Sequence, residues 1–256
     1  MMPEAAPDPF AGLTGHYFHA ESLWSFAKKL AERFEKSERE EDASRTPAGL
    51  SVILFAAMTV ETFINELTEL AAQEGRRDDR MKALADALEE IEESRGSIRL
   101  KFLTVGLALG TPIRKGEEPY QSFNLLFKVR DAVVHLRPYR HTFTETGVEA
   151  EPRRLLDELH RQRKLISDPT SRPAQSFLSM IATSALCYWS VNTASAAVSH
   201  VVKLLPEGDF KKRVTVHVAD VIGADRAELF AESREGSDGA PRAVGESGPK
   251  APDTFE

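Results

Sequence analysis

Arg130, Asp131 and His135 fall within the six residues Arg-Asp-Ala-Val-Val-His, and side chains of these types could do chemistry on a phosphate ester. The arginine presents a planar fork that fits phosphate oxygens and keeps its charge at any useful pH. The histidine titrates near neutrality and can carry a proton from one oxygen to another. The segment from Gln121 to Leu136 has helical periodicity and stops before Pro138. At about 100° per residue, Phe123, Leu126, Phe127, Val129, Val133, Val134 and Leu136 share one arc, and Arg130 falls inside it. Asp131 and His135 follow on the flank, one turn apart. An unpaired cation within an apolar face costs several kcal/mol or more. Either a carboxylate meets Arg130, or it faces a seam where something anionic binds. His135 lies in the last helical turn, where the negative end of the helix dipole and Asp131 both attract a protonated ring. Asp131 is also placed to orient that ring.

The elements that must hold these residues read as helices nearly throughout. A first helix is expected from about His16 to Glu40, with Phe18, Leu23, Phe26, Leu30 and Phe34 on its inner side. Glu38 to Ser44 is a polar hinge. Thr46-Pro47 reads as a cap followed by proline at the first helical position. The second helix, Ala48 to Gln73, is apolar nearly all round in its first half, as the central helix of a bundle would be, and Gly75 ends it. Asp79 to Ser94 and Ser97 to Leu109 are the next two. Beyond the Arg-His helix, Tyr139 to Glu151 is irregular, Pro152 to Ile166 is a basic helix, and Ser167 to Pro173 is a turn. Ala174 to Leu205 reads as one long uncharged helix on which Ser176, Ser179, Thr183, Ser190 and Thr193 make a small-residue stripe. Arg213 to Val218 fits a short strand or a last helical turn.

Composition sets the class. A chain of 256 residues with 41% hydrophobic residues can bury a substantial core. From Glu232 onward Gly, Pro, Ser and charged residues leave too little apolar surface to order a tail. The expectation is therefore an all-α up-and-down helical bundle over residues 14–230, with a disordered N-terminus (1–13) and a disordered tail (231–256). Cys187 alone excludes an internal disulfide framework and a cysteine-rich zinc site. Met1 to Phe10 is acidic and proline-broken, unlike a signal peptide. Phe177 to Val202 has the length to span a bilayer, but its eight Ser, Thr and Asn groups favour a core or interface helix. A soluble, cytoplasmic protein with no membrane contact is expected.

The run from Leu125 to Pro138 resembles the signature of HEPN domains, an arginine often followed by a polar residue and then, after four to six positions, a histidine. Here four residues intervene and Asp131 holds the polar position. Ala57 to Leu67 is similar to the helix that precedes this signature in such proteins, and the resemblance covers roughly residues 15–205. It implies a HEPN-like bundle and metal-independent RNA cleavage, with no cofactor, as a toxin or phage-defence component. It also implies a homodimer in which the arginine and histidine of both protomers line one cleft. There a 2′-hydroxyl attacks the adjacent phosphate and leaves a 2′,3′-cyclic phosphate. Arg130, His135 and Asp131 would then be catalytic. A catalytically inactive HEPN-like module that binds RNA or a protein partner keeps the same signature. HEPN toxins silenced by a partner nucleotidyltransferase carry a tyrosine two residues after the histidine. Arg137 stands there, so that mode of control is not expected, and any antitoxin or defence partner is separately encoded.

Net charge is −7, which argues against wholesale coating of nucleic acid. Around the signature the sign reverses. Lys128, Arg130, Arg137 and Arg140 face only Asp131, and Arg153, Arg154, Arg161, Arg163 and Lys164 outnumber Asp157 and Glu158, so each stretch carries an excess of +3. An RNA backbone groove would use such an excess, with Lys128, Arg137 and Arg140 on phosphates and Tyr139 and His141 beside bases. A solvated charged face is the plainer alternative. Glu61 and Asn65, four apart on the second helix, could reach Arg130, but plain surface polarity is the favoured reading of them; a purely structural bundle would bury Arg130 against Glu61. His16 and His19 have metal-ligand spacing without a third ligand. Gly106 to Gly110 lacks the lysine and the preceding strand of a phosphate loop.

Overall fold

The computed structural model describes residues 19–39, 45–135, 141–144, 147–150, 153–162 and 176–223. Among the described residues the fold is all-α apart from one short hairpin. Helix α1 (Ala20–Arg39) packs against α2 (Arg45–Glu74), which also packs against α3 (Asp79–Glu93), α5 (Tyr120–Val134) and α8 (Ser184–Leu204). α2 is thus the central helix that its all-round apolar first half predicts. Val52, Ile53, Ala56, Ala57, Val60, Phe63, Ile64 and Leu67 are all buried on it. It is also long and apolar enough to cross a membrane, with half of that stretch buried inside the protein. The helix begins at Arg45, so Thr46 and Pro47 lie within its first turn, where a proline is tolerated because those N–H groups have no intrahelical partner.

The inner face of α1 matches the expected one only in part, with Phe34 buried, Leu23 and Leu30 half-buried, and Phe18 outside the described residues. Ala20, Trp24, Ala27, Ala31 and Phe34 are buried at helical spacing, whereas Phe26 is exposed and meets Phe55 edge to face at 4.7 Å. The small alanines let α1 and α2 approach closely, which the bulkier residues would not. Gly49 on α2 completes this contact, since a Cβ there would stand 2.9 Å from the Phe34 ring. The start of α1 has a cap that is not local. Glu66 of α2 accepts the backbone N–H groups of His19 and Ala20 through one carboxylate oxygen. Burial pushes the Glu66 carboxyl above its ordinary 4.5, against the pull of those two donors.

Other helices are capped by their own neighbours. Asp78 accepts from the N–H groups of Arg80 and Met81 at the start of α3, and Ser97 accepts from Leu100 at the start of α4 (Ile98–Ala108). α4 ends in a tight reversal where a Cβ on Gly106 would lie 2.6 Å from Ile113 Cγ1. Phe102 of α4 stacks on Phe123 of α5 with centroids 4.2 Å apart, and Phe123 in turn meets Phe127 at 4.9 Å. This aromatic row links α4 to α5 through their side chains.

Beyond α5, the segment expected to be irregular contains an antiparallel hairpin, β1 (His141–Thr144) with β2 (Gly147–Ala150), pairing His141 with Ala150 and Thr144 with Gly147. The Thr-Phe-Thr alternation of β1 was the signal for it. α6 (Arg153–Arg161) buries Leu155, Leu156 and Leu159. The long uncharged helix is in fact two. α7 (Phe177–Ile181) stops at Ala182, and α8 starts after Thr183, whose hydroxyl accepts the Leu186 N–H. Thr183 therefore ends the expected stripe, because its side chain competes for backbone N–H groups. Ser176 similarly caps α7, and the Ser190 hydroxyl donates to the Leu186 carbonyl within α8. Of the segment from Arg213 to Val218, all but the capping Val218 falls on α9 (Asp209–His217), a helix and not a strand, and α10 (Ala219–Gly223) follows. The expected termini and the Ser167 to Pro173 turn lie outside the described residues.

Candidate functional site

The end of α5 carries the signature. Phe123, Leu126, Phe127, Val129 and Val133 are buried, by packing on α2 and α8 and by the aromatic row to α4. The same chain thus covers most of the apolar arc, and no second copy is needed to bury it. Val134 departs from the arc and is 52% exposed. Arg130 is tucked at the edge, with its side chain 24% exposed and its guanidinium carbon 5.0 Å from the centroid of the Phe127 ring. A cation over an aromatic face is attracted by the ring's negative quadrupole, so this contact partly replaces lost hydration.

Carboxylates answer the charge. Arg130 Nη2 lies 3.5 Å from Glu61 Oε2 on α2, and its Nε lies 3.4 Å from Asp131 Oδ1. Glu61 therefore reaches Arg130, as its position on α2 allowed. Asn65 does not, and instead accepts a hydrogen bond from Lys101 Nζ at 2.8 Å. Both Arg130 contacts are longer than the 2.7–2.9 Å usual for a charge-assisted hydrogen bond, so they are ion pairs only. Asp131 is held more tightly from its other side, where Arg99 Nη2 donates to Oδ2 at 3.2 Å. The result is an alternating row across three helices: Glu61, Arg130, Asp131, Arg99.

His135 is the residue that closes α5. Its backbone N–H donates to the Asp131 carbonyl at 2.9 Å, and its side chain is exposed. Among the described residues its imidazole has no hydrogen-bond partner. Asp131 therefore orients Arg130 and Arg99 with its carboxylate, not the His135 ring as its spacing suggested. The structure brings Arg130 and Asp131 together, whereas the His135 ring pairs with neither among the described residues, although helical geometry sets it on the same flank as Asp131.

Lys128 is paired with Glu158 of α6 at 3.0 Å, which ties the basic helix to α5 and occupies a cation expected to face RNA. On α6, Arg154 and Arg161 remain exposed. His141 opens β1, and Arg137, Tyr139 and Arg140 lie outside the described residues. Among the described residues no group of three or more His, Cys, Asp or Glu side chains could hold a metal ion. His19 engages Glu66 through its backbone, and His16 lies outside the described residues.

Two cations were missed. Arg99 has no local mark, since its partner Asp131 is 32 positions away. Lys101 had the same mark as Arg130, a cation in an apolar segment, and is 6% exposed at its side chain between Glu92 and Asn65. No family model, no curated protein and no solved structure matches this chain.

Proposed function

We propose that this chain is a HEPN-like, metal-independent endoribonuclease that works as a homodimer in a toxin or phage-defence setting. One observation carries the reading. Arg130 stands partly exposed at the end of α5, held by ion pairs no shorter than 3.4 Å, and the next turn ends in the exposed imidazole of His135. A guanidinium so placed can meet a phosphate without first breaking a strong hydrogen bond. In the reaction, the 2′-hydroxyl oxygen bonds to the adjacent phosphorus while the bond from phosphorus to the 5′-oxygen breaks. His135 accepts the 2′ proton and returns one to the departing 5′-oxygen, and Arg130 stabilises charge on the phosphoryl oxygens. Exposed Arg154 and Arg161 extend positive charge beside α5 for the RNA backbone.

The experiment is RNA cleavage by the purified full chain in EDTA, with 2′,3′-cyclic phosphate ends as the readout. His135→Ala abolishes cleavage and leaves the helical spectrum unchanged. Cleavage retained by that variant removes His135 from the mechanism. A second reading, a catalytically silent module that binds RNA or a protein, is favoured by the two carboxylates already facing Arg130. Failure of the wild-type protein to cut any RNA selects it.

A further inference from the structure

The two carboxylates beside Arg130 differ in how they are held. Asp131 follows Arg130 on the same helix and is anchored from behind by Arg99 at 3.2 Å. Glu61 comes from α2, its side chain is 45% exposed, and it makes no hydrogen bond to Arg130 across 3.5 Å. It has room to turn into solvent, whereas Asp131 has a partner to lose. A phosphodiester approaching the Nη edge of Arg130 meets Glu61 on that edge, and two anions a few ångströms apart repel each other. They cannot share it.

We infer that Glu61 is an internal competitor for phosphate at Arg130: it holds the guanidinium in the ligand-free protein and swings out when a phosphodiester takes its place. This rests on the reading that Arg130 meets the RNA phosphate. Asp131 and Arg99 have the complementary task of keeping Arg130 aimed while Glu61 leaves. A Glu61 that merely positioned Arg130 would act in the opposite sense, because its removal would weaken phosphate binding.

The test uses a 2′-O-methylated RNA oligonucleotide, which has no free 2′-hydroxyl and cannot be cut, with affinity read by fluorescence anisotropy at fixed salt. Glu61→Gln keeps the shape, removes the charge, and is expected to tighten binding about fivefold, the scale of one partly exposed ion pair. Glu69→Gln removes the same charge two turns along α2, from an exposed position, and is expected to change affinity by less than about twofold. In an Arg130→Ala background the Glu61→Gln gain is expected to vanish. Should Glu61→Gln fold poorly, Glu61→Asp shortens the side chain, lengthens the pair and shifts affinity the same way by less. Equal effects of the Glu61 and Glu69 variants, weaker binding by Glu61→Gln, a gain that persists without Arg130, or no binding by either protein overturns the inference. Cleavage of unmodified RNA is scored separately, so a protein that binds as described but does not cut fails only the catalytic reading.

Discussion

An arginine with two carboxylates at 3.4–3.5 Å is either a phosphate ligand at rest or a structural strut, and the two roles separate by experiment. As a transition-state partner, Arg130→Ala is expected to lower cleavage by about two orders of magnitude or more with a small change in melting temperature. Arg130→Lys is expected to recover little, because a point charge cannot reproduce the fork. As a strut, Arg130→Ala would instead lower the melting temperature and leave turnover intact, which thermal melts and initial rates on the same preparations distinguish. At this scale the sequence was informative about type and poor about partner. The place of Arg130 in an apolar arc showed that it needed an anion, but spacing within α2 favoured Glu61 as surface polarity and did not reveal the pairing. That Asp131 would turn toward Arg99 was not legible, because nothing near Arg99 marks a pairing made only when α4 and α5 pack. Lys101 was legible by the same rule as Arg130.

Helices as elements were read from periodicity, and their ends were read well where a local cap exists, as at Asp78 and Ser97. The break between α7 and α8 escaped because Thr183 has a helix-compatible neighbourhood, and its extended backbone and hydroxyl bond to the Leu186 N–H mark it as a boundary only in the fold. On the inner face of α1 Phe34 was legible and Ala27 was not, because hydrophobicity ranks Phe26 above Ala27, whereas close helix approach selects the alanine. α8 also carries a pH response. His200 sits beside the Phe102 ring, and burial, followed by the charge of Lys203, holds its imidazole below the ordinary 6.5. The folded protein therefore binds fewer protons than the unfolded chain as pH falls below 6.5. The stability linked to His200 is complete above that value and is lost as pH drops through the lowered one. Urea unfolding at about pH 7.5 and about pH 5.5 is expected to show a smaller loss in His200→Gln than in wild type. Identical losses would assign the acid sensitivity to other groups.

At the scale of the whole molecule, α2 gathers α1, α3, α5 and α8, and its nearly uninterrupted apolar surface made that role legible from the sequence. Assembly was not. Val133 and Phe127, which the helical arc offered as seam residues, are core residues, so a charge at either would unfold the protomer. Val134 is the exposed apolar residue next to His135 and is the position to test. Light scattering is expected to show a wild-type dimer and a folded Val134→Glu monomer. A wild-type protein that is monomeric at micromolar concentration and still cuts RNA removes the dimer from the proposal. The cap that Glu66 lends to α1 has a consequence in time. Asp78 can stabilise α3 as soon as that turn forms, but Glu66 reaches α1 across 46 positions and only after the two helices dock. In stopped-flow refolding, Glu66→Ala is thus expected to speed unfolding while leaving the folding rate nearly unchanged, whereas Asp78→Ala slows folding as well. Equal slowing of folding by both would mean that α1 docks on α2 before the rate-limiting barrier. The start of the first helix is, on this account, among the last parts of the chain to become secure.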